Sequence, residues 1–319
     1  MLSLLTLRMH IPDGFLSVPV ALLFWIPSII LIAIALHRVS QAMGEREAPL
    51  MGVLAAALFA GQMLNFSIAT GTSGHLLGAA LAAILLGPWA AVIVMTCVVS
   101  LQALVFQDGG LLTLGANLFN MAVVGVFVAY AIYRTVLRLA GKRSWSLFLA
   151  AGLAAWFSIV LSALSAGLQL ALSGTSPANL AIPAMGGVHM LIGLGEAGIT
   201  LGALAFLKAT RPDLLSQDRS SASGLRSVWI GGLGLALVLA IASPLASAKP
   251  DGLMWIAQQQ GFASLEHRVF PGLLPHYTLP GISNAALGTI LAAVVGILAI
   301  LGAAWWVSSI RRGKTKDGS

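Results

Sequence analysis

Charge is scarce in this chain: 8% of its 319 residues are Asp, Glu, Lys or Arg, while 58% are hydrophobic. A soluble domain carries about 25% charged residues. The mean hydropathy of +0.95 points the same way. A soluble fold could not hide this much apolar surface, whereas a bilayer accepts it. Cysteine is nearly absent. The one cysteine, Cys97, lies inside an apolar run, so there is no disulfide framework and no redox compartment to read. No G-x-x-x-x-G-K-[ST] phosphate loop occurs, which argues against ATP hydrolysis by this chain. H-E-x-x-H is absent too, which argues against an intramembrane metalloenzyme, and the chain does not read as an enzyme. The net charge of +7 would suit nucleic acid, but the basic residues sit in short clusters between apolar runs, so no nucleic-acid partner is expected.

Long apolar runs are what the sequence has in abundance. Nine can be read, at 19–37, 50–70, 76–87, 88–107, 115–138, 147–172, 184–208, 229–246 and 283–308. Most reach the ~20 residues that cross a hydrocarbon core. The run at 76–87 is short, so it must be tilted, re-entrant or buried among its neighbours, and Gly87-Pro88 marks the break after it. The placement of Lys and Arg sets the orientation. With the N-terminus outside, the inner side holds Arg38, Arg46, Arg134, Arg138, Lys142, Arg143, Lys208, Arg211, Arg219, Arg226, Arg311, Arg312, Lys314 and Lys316. The outer side then holds only Arg8, Lys249 and Arg268. The expected architecture is an all-α, polytopic membrane helix bundle of about nine transmembrane segments, N-terminus outside and C-terminus cytoplasmic. No cleavable signal peptide is visible in MLSLLTLR. The polar stretch from Lys208 to Arg226 reads as a cytoplasmic linker between a seven-span unit and a two-span unit. The segment 247–282 reads as an ordered external loop joining the last two spans.

Three polar groups fall on the outer face in this topology: Met9 to Ser17, Gly71 to Gly78, and Gln107 to Gly110. His10 and His75 can therefore meet. Imidazole suits Ni, Co, Cu and Zn far better than Mg or Ca. A lone histidine at an interface is ordinarily a boundary residue. Gly71, Gly74 and Gly78 shift that balance, because such a loop can plunge into the bundle, where a polar side chain is expensive unless it binds something.

Met-His-Ile-Pro-Asp-Gly-Phe-Leu-Ser at 9–17 resembles the N-terminal signature of the CbiM/NikM family, the substrate-specific components of cobalt and nickel energy-coupling-factor importers. Gly71-Thr72-Ser73-Gly74-His75-Leu76-Leu77-Gly78, Gly87-Pro88-Trp89-Ala90 and Asp108-Gly109-Gly110 are similar to that family as well. So are Gly115-Ala116-Asn117 through Asn120-Met121, and His189 with Gly193 to Thr200. Pro250-Asp251-Gly252-Leu253 resembles the PDGLE signature of the small accessory component, CbiN or NikN, with Met254 where that signature has Glu. The resemblance implies a fusion, with a metal-binding unit at 9–208, a linker at 209–227 and a two-span accessory unit at 228–319. It implies Co²⁺ or Ni²⁺ as the transported substrate. It also implies a membrane-embedded coupling component and cytosolic ATPases as partners, and a place in the bacterial inner membrane. Uptake would feed cobalamin synthesis or nickel enzymes.

The resemblance further implies the metal ligands: the Met9 amine, the His10 backbone nitrogen, the His10 imidazole and the His75 imidazole. These donors close small adjacent chelate rings, and four nitrogens in a plane favour Ni²⁺ or Cu²⁺ while accommodating Co²⁺. An amine at Met9 requires Met9 to be the first residue, so residues 1–8 are expected to be a misassigned start or a removed leader. Asp108 and Glu196 are candidates to support a ligand imidazole. For Glu196 the competing reading is satisfaction by Asn or His side chains across helices. His189 is expected to pack within the bundle near the outer side or lie close to the metal. Asn65, Asn117 and Asn120 are expected to fix the N-terminal loop or join helices. His267 and His276 read as solvated loop residues. The accessory unit carries no metal-ligand constellation and is expected to act on metal capture or release rather than on binding. A gradient-driven secondary transporter or channel is the alternative class, and it would need no ATPase.

Overall fold

A computed structural model describes residues 9–42, 47–68, 71–141, 143, 145–215, 225–267, 269 and 272–316. The expected leader at 1–8, the middle of the expected linker at 216–224, and Arg46, Lys142, Arg219 and Arg268 lie outside the described residues.

The chain is almost wholly helical, as a bilayer demands, since only intra-helical hydrogen bonds satisfy the backbone of a lipid-exposed segment. Helices α1 (Val18–Ala42) and α2 (Glu47–Gln62) lead to a short antiparallel hairpin of β1 (Phe66–Ser67) and β2 (Ser73–Gly74). Then follow α3 (Ala79–Leu86) and α4 (Pro88–Phe106). A π-helical turn, Phe119–Val124, joins α5 (Leu114–Leu118) to α6 (Gly125–Ala140). The remaining helices are α7 (Ser146–Leu172), α8 (Ala178–Thr210), α9 (Leu225–Ala242), the short α10 (Gly252–Gln259) and α11 (Ala285–Lys316).

Seven of these helical stretches are long and apolar enough to cross a membrane, by length and composition. The protein is a multi-pass membrane protein. The other two of the nine apolar runs form shorter helices. The run at 50–70 stops being helical at Gln62, because Asn65 to Ser67 turn into the hairpin. The run at 76–87 yields the eight-residue α3, whose Ala79, Ala80, Ala82, Ala83, Leu85 and Leu86 are all buried. Burial among neighbours is thus how the chain accommodates it.

The surface differs from that of a soluble protein. Leu22, Leu23, Ile26, Ile29 and Ile30 of α1 are exposed, as lipid contact requires. Small residues face inward instead. In α7 the buried residues include the small Ala150, Ala151, Ala154, Ala155, Ser158, Ser162, Ala163 and Ala166, mostly at three- and four-residue spacing. Such a stripe lets α7 lie close against α6 and α8. Helices α9 and α11 pack on α2. The segment between them folds back over the hairpin loop: Ser73 pairs in parallel with Asp251, and the Ser73 Oγ donates to the Lys249 carbonyl at 2.8 Å.

Candidate metal centre

The N-terminal segment is held by the loop that follows α4. The Asp13 carboxylate accepts the backbone N–H groups of Leu111 (3.0 Å), Leu112 (3.0 Å) and Thr113 (3.1 Å), three consecutive donors in the turn that leads into α5. The Asn117 side chain brackets Ile11: it accepts the Ile11 N–H at 3.0 Å and donates to the Ile11 carbonyl at 3.0 Å. The contact is so close that only glycine fits opposite. A Cβ on Gly110 would sit 2.0 Å from the Asp13 Oδ1, and one on Gly109 would sit 2.9 Å from the His10 Cβ. These contacts account for the Asp108-Gly109-Gly110 pattern.

This clamp presents Met9 and His10 to Asp108. The Met9 nitrogen donates to Asp108 Oδ1 at 2.7 Å, and the His10 Nδ1 lies 3.1 Å from the same oxygen. Two proposed donor nitrogens therefore converge on one atom. The His10 and His75 rings meet edge to face with centroids 5.8 Å apart. His10 Nε2 is buried with no hydrogen-bond partner among the described residues. Beside it lies a cavity of about 70 Å³, lined by Met9, His10, His75, Asn117, His189 and Asp251 among others. Organic ligands occupy roughly 300–1,000 Å³. This space suits an ion with a water or two, at about 30 Å³ per water. Among the described residues, no three His, Cys, Asp or Glu side chains form a complete ligand group. An ion held here would need donors beyond those side chains.

Electrostatics keep the imidazoles distinct. Burial pulls His10 down, but the Asp108 charge and hydrogen bonds outweigh it, so His10 stands above its ordinary value. Burial alone would raise Asp108; the His10 charge, with hydrogen bonds from His10, Tyr277 and Met9, holds it below the usual carboxylate value. Burial, with His10 beside it, lowers His75 to about 3. His75 is then neutral, with a lone pair free for a metal.

The other candidates separate. Glu196 accepts the backbone N–H groups of Leu77 (2.7 Å) and Gly78 (2.8 Å). Among the described residues these backbone donors, just before α3 and in the loop that carries His75, are its hydrogen-bond partners, and no imidazole or Asn side chain is. His189 lines the cavity, with its Nδ1 bonded to the Met185 carbonyl one turn back at 2.8 Å. Asn65 is not at the cavity. Its backbone carbonyl accepts the Ser247 N–H at 2.8 Å, and its buried side chain has no hydrogen-bond partner among the described residues. Asn120 joins helices through Gln169 (2.8 Å) and Ser165 (2.7 Å). His267 is exposed, and neither it nor His276 lines the cavity.

The C-terminal unit reaches the cavity. Asp251 and Leu253 line the cavity, and burial pushes the Asp251 carboxyl up to about 7. The Tyr277 hydroxyl donates to Asp108 Oδ2 at 2.7 Å. Tyr277 carried no motif that could have marked it, and it stands 169 residues from its partner.

Comparison with known proteins gives the family. The family described as "Cobalt uptake substrate-specific transmembrane region" matches residues 10–214, and the PDGLE domain matches residues 226–313. The chain belongs to the CbiM family of cobalt-uptake transmembrane proteins. A putative fused nickel transport protein NikMN of Archaeoglobus fulgidus is 40% identical over 92% of this chain and 96% of its own length. The fused nickel transport protein NikMN of Rhodobacter capsulatus is 31% identical over 92% of this chain and 95% of its own. A solved truncated transition metal transporter is 34% identical, with a TM-score of 0.58, over 63% of this chain and 99% of its own. Membership of the CbiM family makes the chain a metal-transport protein and not an enzyme.

Proposed function

We infer that this chain is the metal-capturing membrane subunit of an ATP-driven importer for Co²⁺ or Ni²⁺. The observation that carries the reading is the facing pair of His10 and His75 beside a cavity of ion size. The proposed ligands are the Met9 amine, the His10 amide nitrogen and imidazole, and the His75 imidazole. The amide nitrogen loses its proton to bind. Two nitrogens of this set already point at Asp108 Oδ1, so Asp108 orients them before the cation arrives. A free amine at Met9 places the functional N-terminus there. Residues 9–208 would form the binding unit and 228–319 the accessory unit. The N-terminus would lie outside and the C-terminus in the cytoplasm.

No phosphate loop is present in the sequence, so energy would come from cytosolic ATPases through a membrane-embedded coupling component. The test has two parts. His10→Ala and His75→Ala should each weaken Ni²⁺ and Co²⁺ binding by the purified protein at least a hundredfold, and parental affinity in both means the ligands are wrong. Uptake in cells should stop when the ATPase genes are deleted; persistent uptake points to a gradient-driven carrier instead.

A further inference from the structure

We propose that Tyr277, in the C-terminal unit, is a positioning residue for the metal site: its hydroxyl holds the Asp108 carboxylate in the orientation that gathers the Met9 and His10 nitrogens. The proposal rests on the ligand reading above. Asp108 has two oxygens with divided tasks. Oδ1 takes the Met9 nitrogen at 2.7 Å and lies 3.1 Å from His10 Nδ1, while Oδ2 takes the Tyr277 hydroxyl at 2.7 Å. Tyr277 is the hydrogen-bond partner of Oδ2 among the described residues, so without the hydroxyl the carboxylate can turn about its last bond. Both donor nitrogens would then lose their common anchor.

The fold goes to some expense to place this phenol. His276 and Tyr277 both adopt left-handed backbone, at φ 59° and φ 54°. A bulky residue seldom adopts that conformation, and such outliers persist where the surroundings over-determine them. The surroundings here are aromatic. The Tyr277 ring stacks on Phe106 at 4.7 Å with planes 13° apart, and Phe59 closes the cluster with its ring 6.3 Å from Tyr277. Phe106 ends α4, two residues before Asp108, so ring and hydroxyl engage the same short stretch. Tyr277 is 1% exposed. An exposed tyrosine would serve a loop as well as any polar residue; this one is fully buried with its hydroxyl on a carboxylate. The accessory unit thus contributes to the geometry of binding without supplying a ligand.

Tyr277→Phe keeps the stacked ring and removes only the hydroxyl. The full chain, purified in detergent, is titrated with Ni²⁺, its metal-free melting temperature is recorded, and the ligand-field band of bound Ni²⁺ is measured. That band reports donor geometry and not overall stability. One charge-assisted hydrogen bond lost from the carboxylate predicts about a tenfold loss of affinity. The band should shift, and the metal-free melting temperature should stay near the parent's. Parental affinity with an unchanged band overturns the proposal. So does a weakened affinity that comes with a lowered melting temperature and an unchanged band, since that is a general packing role. His10→Ala is run alongside. If it too binds like the parent, the ligand reading has failed; if it loses binding while Tyr277→Phe does not, only the role of Tyr277 has.

Discussion

Glu196 offers a sharp test, because its effect on the metal must travel through backbone. Its carboxylate accepts two buried N–H groups, from Leu77 at 2.7 Å and Gly78 at 2.8 Å, two and three residues beyond His75. Glu196→Ala removes both acceptors at once. A buried donor left without a partner costs about 1–3 kcal/mol, and the two neighbouring losses will not add in full, so about 3 kcal/mol is expected for the pair. Part of that appears as a looser resting loop, which the metal must re-order when His75 coordinates. If about 2 kcal/mol falls on the binding equilibrium, Ni²⁺ affinity drops roughly thirtyfold, since 1.4 kcal/mol is a factor of ten. Glu196→Gln retains one acceptor oxygen and should fall between the parent and the alanine variant. The assay is competition against a chromophoric Ni²⁺ chelator with detergent-purified protein, at equal folded fraction. Affinity of the alanine variant within threefold of the parent would refute the idea that Glu196 sets the His75 loop.

Acid should weaken binding. His10 stands above its ordinary pKa, so a proton occupies the imidazole as pH falls through that raised value, and the metal must displace it. Apparent Ni²⁺ affinity should fall by up to about tenfold per pH unit below that point; a flat profile between about pH 8 and pH 5.5 removes His10 from the ligand set. Mass spectrometry of the native N-terminal peptide should find Met9 first with its amine unmodified, and a metal-loaded protein that starts at Met1 rules out the amine as a donor. Topology reporters should read external near Ser264 and cytoplasmic after Ser319, and a cytoplasmic signal at Ser264 overturns the proposed orientation.

Much of the architecture was legible in sequence because a bilayer imposes one-dimensional rules. A helix must be apolar over a set length, so most of the apolar runs match helices closely, among them 88–107 with α4 and 147–172 with α7. Hydropathy records polarity and not backbone direction, so it could not see that the run 50–70 turns into a hairpin after Gln62, whereas the shortness of 76–87 already pointed to a segment like the buried α3. His10 and His75 were legible too, because each stands inside a short polar motif among glycines on an otherwise apolar chain.

Composition and periodicity by themselves determined that this chain is a membrane helix bundle, and local motifs marked a few polar residues as candidates. Only the tertiary structure decided what those residues touch. Glu196 turned out to hold backbone donors, Asn65 fell away from the cavity, and Asp251 and Tyr277 arrived from the far end of the chain. The reason is physical. Burial in lipid depends on each segment's own composition, which is local, whereas a hydrogen bond of 2.7 Å between residues 169 apart depends on how all the intervening helices pack.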